Sequence, residues 1–179
     1  MRADALQRRN RILLTARRLF AAHGPNVALE QVAEASEVGI ATLYRNFSTR
    51  EELIYEVLHH VISDLDTATQ RALQLAPSAE NWTQYLSELT NLDLGAFTGA
   101  LDPREIRSDI ATAQAASLRQ LTGLVESYVA AGVIHDGVSA SNLMVSIGIA
   151  TRPQPQAVTR IAPDAPTQLV DAYITWTLA

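Results

Sequence analysis

Apolar residues recur at helical spacing in the first quarter of the chain. One stripe has the spacing i, i+4, i+7, i+8 and i+11, which is one face of a helix: Ile12, Ala16, Leu19, Phe20 and His23. Gly24 and Pro25 should end that helix, because glycine suits a C-terminal cap and proline cannot continue a helix. The next stripe predicts a helix of about two turns: Leu29, Val32, Ala33 and Ser36.

A third short helix and a long fourth helix follow. The third begins after Gly39 and turns Leu43 and Phe47 inward. Two pairs with capping-box spacing then mark the start of the fourth: Ser48 with Glu51, and Thr49 with Glu52. The fourth helix should run unbroken until Pro77, and at ~1.5 Å per residue it is long enough to join two parts of a molecule. Its stripe is Ile54, Val57, Leu58, Val61, Ile62, Leu65, Ala68 and Ala72.

Two further helices are expected in the middle of the chain. The first spans Asn81 to Phe97 and has one apolar face: Trp82, Tyr85, Leu86, Leu89 and Phe97. The second should start at Asp102-Pro103, because aspartate at the cap and proline at the first helical position favour a helix start. It reaches Ala131, where Gly132 closes it, and a break near Ser108 is also compatible with the pattern.

Two apolar helices close the chain. Ser139 or Ser141 can cap the first, in which residues 143 to 149 are apolar on nearly every side. Four of the seven prolines mark a loop from Thr151 to Pro166, and the last helix presents Leu169, Val170, Tyr173, Ile174 and Leu178. A helix that is apolar all round must be covered. We therefore expect a homodimer through these last two helices, with a self-contained bundle as the alternative.

Composition places the protein among globular chains. Hydrophobic residues make up 47% of its 179 residues, and cysteine is absent, which favours a reducing compartment. No run approaches the ~18 apolar residues of a membrane-spanning helix. Arginines interrupt the apolar positions of the first 25 residues, so a secretory signal is not expected. We expect a cytoplasmic protein that does not associate with a membrane.

Charge is distributed unevenly along the chain. Up to Arg50, eight arginines against four acidic residues give +4, and from Glu51 onward six arginines against fifteen acidic residues give −9. Such asymmetry is typical of a polyanion-binding head on an acidic body. Chance clustering with a solvated helix face is the alternative.

Residues Leu29 to Phe47 have the layout of a helix-turn-helix, with the first predicted helix as the third element that such short helices need. The outer face of the second short helix would carry Gly39, Ile40, Thr42, Tyr44, Arg45 and Asn46. Hydroxyls and arginine bind phosphates, arginine and asparagine can contact bases, and small apolar groups touch thymine methyls. Arg50 would lie at the start of the next helix, where exposed N–H groups also favour an anion.

The string VAEASEVGIATLYRNFSTREEL, within a match from about Ile12 to Leu58, resembles the DNA-binding segment of the TetR family of bacterial repressors. The resemblance is most specific at Thr42-Leu43-Tyr44, Phe47 and Arg50-Glu51. It implies an all-helical homodimer with an N-terminal DNA-binding region, here called the reading head, and a C-terminal domain that holds a small effector. It also implies that Thr42, Tyr44 and Arg50 hold phosphates, while other residues lie at or near base edges: Gly39, Ile40, Ala41, Arg45 and Asn46.

Three positions depart from the family pattern. Glu37 replaces the glycine usual in the turn, and if that site needs a positive φ, it costs on the order of 1 kcal/mol. Ala28 stands where a Ser or Thr cap is common, which costs another ~1 kcal/mol. Ile40 and Ala41 offer few hydrogen-bond donors, so much of the specificity would rest on Arg45, Asn46 and DNA shape.

Candidate effector-binding residues come from the middle of the chain: Trp82, Tyr85, Leu89, Asp93, Phe97, Leu121, Val125 and Met144. Asp93 follows Leu89 by four and so shares the apolar stripe. A carboxylate there must be paired, protonated or at a cavity edge. Asp93 is therefore a candidate anchor for a cationic or hydroxylated ligand, unless a rotated helix exposes it.

The predicted fold is all-α, with a helix-turn-helix DNA-binding domain at residues 1–50 and a helical effector-binding and dimerisation domain at 51–179. The predicted function is a ligand-responsive repressor whose two reading helices enter major grooves about 34 Å apart on a near-palindromic operator in double-stranded DNA. The alternative is a helical ligand-binding or interaction dimer with a degenerate reading head, which Glu37 favours.

An enzyme is not expected, because the chain has no glycine-rich phosphate loop, no nucleophile elbow and no metal-spaced His/Glu set. No cofactor or metal is predicted. The adjacent His59 and His60 point about 100° apart on a helix and cannot form an i, i+4 metal pair. Surface or capping roles are expected for all four histidines.

Overall fold

The computed structural model describes residues 2–92, 94–97 and 106–179. Its first four helices are α1 (Arg2–His23), α2 (Leu29–Ala35), α3 (Ile40–Asn46) and α4 (Arg50–Leu73). These bounds confirm the four predicted N-terminal elements. The fourth helix is unbroken over 24 residues and ends before Pro77.

The described C-terminal part adds a short 3-10 helix and five α-helices. The 3-10 helix is Leu94–Phe97. The α-helices are α5 (Ala79–Thr90), α6 (Ser108–Ala130), α7 (Ala140–Ala150), α8 (Gln156–Ile161) and α9 (Ala165–Thr177). The only isolated β-bridge in the described part of the chain joins Ile134 to Leu178. The predicted all-α class is confirmed.

The prediction of one helix from Asn81 to Phe97 is wrong in its second half, because α5 ends at Thr90. The side chains of Thr90 and Asn91 both donate to the Ser87 carbonyl oxygen, at 2.7 and 3.0 Å, and such local bonds compete with continuation of a helix. The next segment lies against α7. A Cβ at Gly95 would fall 2.4 Å from the Gly148 carbonyl oxygen, so only glycine fits there.

The predicted helix start at Asp102-Pro103 lies outside the described residues. A single helix from there to Ala131 is wrong, because Ile106 and Arg107 are not helical and α6 begins at Ser108. The backbone of Arg107 is extended, and its guanidinium donates to the Asp109 carboxylate in the first turn of α6. The break near Ser108 is therefore present.

The predicted loop from Thr151 to Pro166 is wrong in its middle, where α8 forms. This helix has only six residues and none of them is buried, so it leaves no apolar periodicity in the sequence. Pro155 precedes it and its carbonyl oxygen accepts from the Thr159 N–H at 3.1 Å. Proline is well tolerated at a helix start.

Side-chain caps fix three helix starts. Thr49 Oγ1 accepts from the Glu52 N–H at 3.1 Å, so Thr49 caps α4, and Ser48 lies outside the helix. The Glu52 carboxylate in turn accepts from the Ser48 N–H at 2.6 Å. Ser78 caps α5 in the same way, and Ser139 is the cap of α7. Each such cap contributes about 1 kcal/mol.

Two large apolar clusters form the interior. The first joins α1, α2 and α3 to the first half of α4, through Ile12, Phe20, Val32, Leu43, Phe47, Leu53 and Val57 among others. The second joins the last part of α4 to α5, α6, α7 and α9, through Leu65, Trp82, Leu86, Leu121, Tyr128, Leu143 and Ile174 among others. The α4 helix contributes to both clusters, and Leu94 of the 3-10 helix also packs against both.

The outer faces of α7 and α9 carry large apolar side chains that are uncovered in the single chain, beside exposed polar residues. In α7, Leu143 and Ile147 are buried, whereas Val145 and Ile149 are 61% and 62% exposed. In α9, Leu169 and Trp176 are 60% and 51% exposed. The expectation that α7 carries apolar side chains on more than its buried face is therefore confirmed. Within the described residues, no helix combines the length and apolarity needed to cross a membrane.

Candidate nucleic-acid interface

The turn between α2 and α3 is a Schellman motif. The Val38 N–H donates to the Ala33 carbonyl oxygen at 3.0 Å, and the Glu37 N–H donates to the Glu34 carbonyl oxygen at 2.9 Å. These are the two bonds that define this helix ending. The turn is thus closed by backbone hydrogen bonds and places α3 directly after α2.

Glu37 occupies the left-handed position of this motif, with φ of 54°. The helix α6 ends in the same motif, but with a glycine there, Gly132 at φ 68°; α1 also ends at a left-handed glycine, Gly24 at φ 83°. A residue with a Cβ pays about 1–2 kcal/mol in this conformation. Position 37 therefore needs a positive φ, and the strain expected for glutamate at this position is present. Ala28 likewise makes no side-chain cap bond at the start of α2.

Leu43 and Phe47 hold α3 to the core, since both are fully buried. The opposite face of the helix is open. Tyr44 is 46% and Ile40 is 36% exposed. Five of the predicted DNA-contacting residues are exposed, namely Gly39, Ile40, Ala41, Tyr44 and Arg45, and three are half-buried, namely Thr42, Asn46 and Arg50. The structure therefore places the first seven of these residues on or at the edge of one outward surface.

Gly39, which precedes α3, is not required by the fold. Its φ of −70° is open to any residue. A Cβ built on it would meet no other atom within 4 Å. The backbone at the start of α3 is consequently accessible to an approaching molecule.

Polar side chains on α3 are arranged around Thr42. Arg45 Nη2 donates to Thr42 Oγ1 at 2.8 Å, and Asn46 Nδ2 donates to the Thr42 carbonyl oxygen at 2.8 Å. A hydroxyl that accepts one bond still has its own hydrogen to donate. Thr42 can therefore donate to an anionic oxygen beside the Arg45 guanidinium.

Arg50 makes internal contacts that were not predicted from the sequence. Its Nη1 donates to the carbonyl oxygens of Pro25 and Val27, at 2.9 and 2.7 Å. These bonds join the first residue of α4 to the loop between α1 and α2. The guanidinium has five N–H donors, so those on its other nitrogens can still meet a phosphate.

Arg9 also belongs to this region, although its role was not predicted from the sequence. Its guanidinium lies 4.1 Å from the centre of the Phe47 ring and 3.1 Å from the Glu56 carboxylate. Its Nη1 also donates to the carbonyl oxygen of Asn46, the last residue of α3. No local pattern signals these contacts, because they depend on where α3 ends in three dimensions.

Pairing on α1 reduces the number of arginines that can meet a polyanion. Arg9 pairs with Glu56, and Arg17 pairs with Asp64, so both join α1 to α4. Arg8, Arg11 and Arg18 are exposed on the same helix. Arg11 lies 4.0 Å from the Glu37 carboxylate. The +4 charge of the first fifty residues therefore overstates the positive charge available at the surface.

The family model described as bacterial regulatory proteins, tetR family, matches residues 12–57, which run from α1 into α4. The regulator TcmR of Streptomyces glaucescens is 35% identical over 94 residues, which are 52% of this chain and 37% of TcmR. An HTH-type transcriptional regulator of Staphylococcus aureus strain USA300 is 37% identical over 67 residues, which are 37% of this chain and 35% of that protein. Residues 12–57 therefore carry the N-terminal segment of the TetR family. The matches cover little more than a third of the length of these relatives.

Solved structures extend the similarity to the whole fold. The TetR regulator SCO0520 of Streptomyces coelicolor matches with a TM-score of 0.61 and 23% identity, covering 95% of this chain and 98% of that one. PfmR of Thermus thermophilus matches with a TM-score of 0.64 and 20% identity, covering 93% and 96%. At these identities the likeness concerns the fold alone, an N-terminal helix-turn-helix followed by a helical C-terminal domain.

The second predicted site, the one for a small effector, is occupied by packed side chains. Most of the candidate effector residues lie in the second apolar cluster: Trp82, Tyr85, Leu89, Leu121 and Val125 are buried, and Met144 packs against them. Asp93 and the side chain of Phe97 lie outside the described residues. Burial raises the pKa of the Tyr85 hydroxyl, which lies 2.9 Å from Thr69 Oγ1. The buried Tyr128 hydroxyl makes no hydrogen bond to a described residue.

Two clefts lie next to this cluster, at the C-terminal end of α7. One, of about 460 Å³, runs between the end of α5 and the start of α9 and is lined by Ser87, Asn91, Thr151 and Asp171 among others. The other, of about 190 Å³, lies between Arg152 and α8. They share Ala150, Thr151 and Pro166 with one another, and neither is lined by a candidate effector residue.

A charged group joins α4 to the start of α6. Asp109 accepts from Arg107 Nη2 at 2.6 Å and lies 3.1 Å from His59 Nε2. Hydrogen bonds from Arg107, and then from His59, lower the pKa of the Asp109 carboxyl to about 2. The Arg107 guanidinium also stacks 4.9 Å from the Tyr55 ring centre. Across the described part of the chain, no three His, Asp or Glu side chains are grouped to hold a metal ion.

Proposed function

We propose that this protein is a ligand-responsive transcriptional repressor that binds a near-palindromic DNA operator as a homodimer. The observation that carries the proposal is the geometry of α3. Two buried anchors, Leu43 and Phe47, fix the helix to the core, and its opposite face is exposed. A short helix held in this way after a tight turn is what enters the major groove in helix-turn-helix proteins.

The chemistry of the exposed face supports DNA as the partner. Thr42 and Tyr44 offer hydroxyl donors, and Arg45 offers a guanidinium beside Thr42. Such groups bind phosphates, and Arg45 and Asn46 can also contact base edges. The open backbone at Gly39 allows a phosphate to approach the start of α3 closely. Arg50 would add a phosphate contact through the N–H groups that do not bind the Pro25 and Val27 carbonyl oxygens.

A homodimer would cover the outer faces of α7 and α9. Val145, Ile149, Leu169 and Trp176 are each more than half exposed in the single chain. Large apolar side chains exposed on two neighbouring helices are what a protein interface would cover. Two copies joined there would present two α3 helices, as an operator with two half-sites about 34 Å apart requires.

We divide the chain into a DNA-binding domain, residues 1–50, and an effector-binding and dimerisation domain, residues 51–179. The α4 helix packs on both apolar clusters. A small molecule that binds in the second domain would shift α4 and change the spacing of the two reading heads. Such a molecule releases DNA only if it binds the released form more tightly than the DNA-bound form.

Footprinting on the DNA that flanks the protein's own gene tests the proposal. The expected pattern is two protected half-sites on one face of the duplex, with centres one helical turn apart. Tyr44→Ala should remove protection, while Glu126→Ala, an exposed change on α6, should leave it unchanged. Absence of protection with the wild-type protein at micromolar concentration would refute DNA binding and favour an interaction dimer with a degenerate reading head.

A further inference from the structure

We propose that Arg9 is a positioning residue. It fixes the C-terminal end of α3, and with it the exposed face of α3 that would contact DNA, relative to α1 and α4. The inference rests on the proposed function of α3. Arg9 itself lies on α1, and its guanidinium stacks on the buried Phe47 ring, so on this proposal it acts on DNA through α3.

The Arg9 guanidinium contacts three features that belong to two other segments. It donates to the Asn46 carbonyl oxygen, stacks over the Phe47 ring at 4.1 Å, and pairs with Glu56 of α4 at 3.1 Å. The side chain is 32% exposed, so water screens these contacts only in part. A single side chain of α1 therefore joins the end of α3 to α4.

The end of α3 needs such support. The helix has seven residues, which is too short to be stable without tertiary contacts. The last carbonyl groups of any helix lack partners within it, and a cation near them is favoured by the helix dipole. Arg9 supplies both a donor and a positive charge at that place.

The guanidinium suits this position better than an ammonium group would. Its planar fork can stack on the Phe47 ring while separate N–H groups reach the Asn46 oxygen and the Glu56 carboxylate. A lysine keeps the charge but loses the planar stacking and the fixed directions of the donors. Glu56 in turn holds the guanidinium, so a shift of α4 would be passed to the end of α3 through this pair.

The test compares full-length Arg9→Ala, Arg9→Lys and Glu56→Gln with the wild type and with Arg8→Ala, whose side chain is an exposed neighbour. Affinity is measured at several salt concentrations for two duplexes of equal length, the gene-flanking fragment and a scrambled sequence. Circular dichroism and thermal melting confirm that each variant is folded. Glu56→Gln and Arg9→Lys keep the experiment informative if Arg9→Ala unfolds.

Arg9→Ala should weaken specific binding by about tenfold, the value of a hydrogen bond to a charged group. Arg9→Lys and Glu56→Gln should weaken it in the same direction and by less. Binding to the scrambled duplex, and the slope of affinity against salt, should stay as in the wild type, because no phosphate contact is removed. Arg8→Ala should leave the ratio of specific to non-specific affinity unchanged.

Two results would overturn the inference while leaving the proposed function intact. A salt slope that becomes shallower by ~1.8 in Arg9→Ala, ~0.9 for each of the two heads, would make Arg9 a direct phosphate contact, and Glu56→Gln would then not weaken binding. Arg9 and Glu56 variants that bind both duplexes like the wild type would exclude a positioning role. If the wild-type protein itself does not distinguish the two duplexes, the proposed function fails and the inference fails with it.

Discussion

Arg50 Nη1 lies 2.7 Å from the carbonyl oxygen of Val27, so the first residue of α4 is hydrogen-bonded to the loop that precedes α2. The same nitrogen donates to the Pro25 carbonyl oxygen. Arg50 therefore stabilises the relative position of three helices, whatever it contributes to phosphate binding. A variant at this position would change both properties, and they must be measured separately.

Replacement of Arg50 by alanine should lower the free energy of unfolding by about 1–2 kcal/mol, because two carbonyl groups lose a charged donor. Urea unfolding followed by circular dichroism measures this loss. Arg45→Ala is the matched control, since Arg45 is exposed and donates only to Thr42 within its own helix. It should change the free energy of unfolding by less than about 0.5 kcal/mol. Equal stability of the Arg50 variant and the wild type would show that the hydrogen bonds from Arg50 to Pro25 and Val27 do not stabilise the fold.

Glu37→Gly should stabilise the protein by about 1 kcal/mol, since glycine adopts φ near 54° without a Cβ clash. Glu37→Ala should give little gain, because alanine keeps the Cβ. This pair separates backbone strain from the loss of the carboxylate that lies 4.0 Å from Arg11. Chemical denaturation of both variants provides the measurement. A gain that is equal for alanine and glycine would assign the effect to charge.

The buried hydrogen bond from Trp82 Nε1 to Thr177 Oγ1, 2.8 Å long, joins α5 to the last turn of α9. Thr177→Val should cost about 1–3 kcal/mol, because the indole N–H is left buried without an acceptor. Thr177→Ser keeps the acceptor and should cost less. The comparison requires thermal or urea unfolding at fixed protein concentration, since dimerisation would also affect stability. Valine and serine variants of equal stability would contradict the assignment.

Acid should weaken the junction of α4 and α6. The pKa of Asp109 is about 2 in the folded protein, against an ordinary value of 3.8. Because the folded value is the lower one, the contribution of Asp109 to stability is present above pH 4 and is lost as the pH falls toward 2. The difference in free energy of unfolding between wild type and Asp109→Asn should therefore shrink over this range. A difference that is constant from pH 6 to pH 2 would show that folding does not lower the pKa of Asp109.

Much of the fold could be predicted because its signals are local. Glycine and proline after His23, and the serine and threonine caps at Thr49 and Ser139, fix helix ends through residues that are neighbours in sequence. The requirement for a left-handed residue at Glu37 could be anticipated from the family pattern. By contrast, α8 is too short and too exposed to show periodicity. The helix α5 ends at Thr90, earlier than its apolar stripe indicated, and Leu94–Phe97 forms a separate 3-10 helix.

The sequence predicted which residues form the exposed face of the candidate site, but not the internal contacts that support it. The four-residue spacing of Leu43 and Phe47, with polar residues between them, identifies which side of α3 faces outward. The internal contacts of Arg50, and the three contacts of Arg9, join residues 23 to 47 positions apart and depend on how the helices meet. For the effector site, periodicity marks residues as buried but does not distinguish a filled core from a binding cavity.

The claim that α3 binds DNA is tested most directly by the salt dependence of binding to the gene-flanking duplex. A dimer in which Arg45 and Arg50 of each head meet phosphates should neutralise about four of them, so the slope of log affinity against log salt should be about −3.5 or steeper. The scrambled duplex should bind more weakly at every salt concentration. Weak binding with a shallow slope, equal for the two duplexes, would contradict the claim that α3 reads DNA.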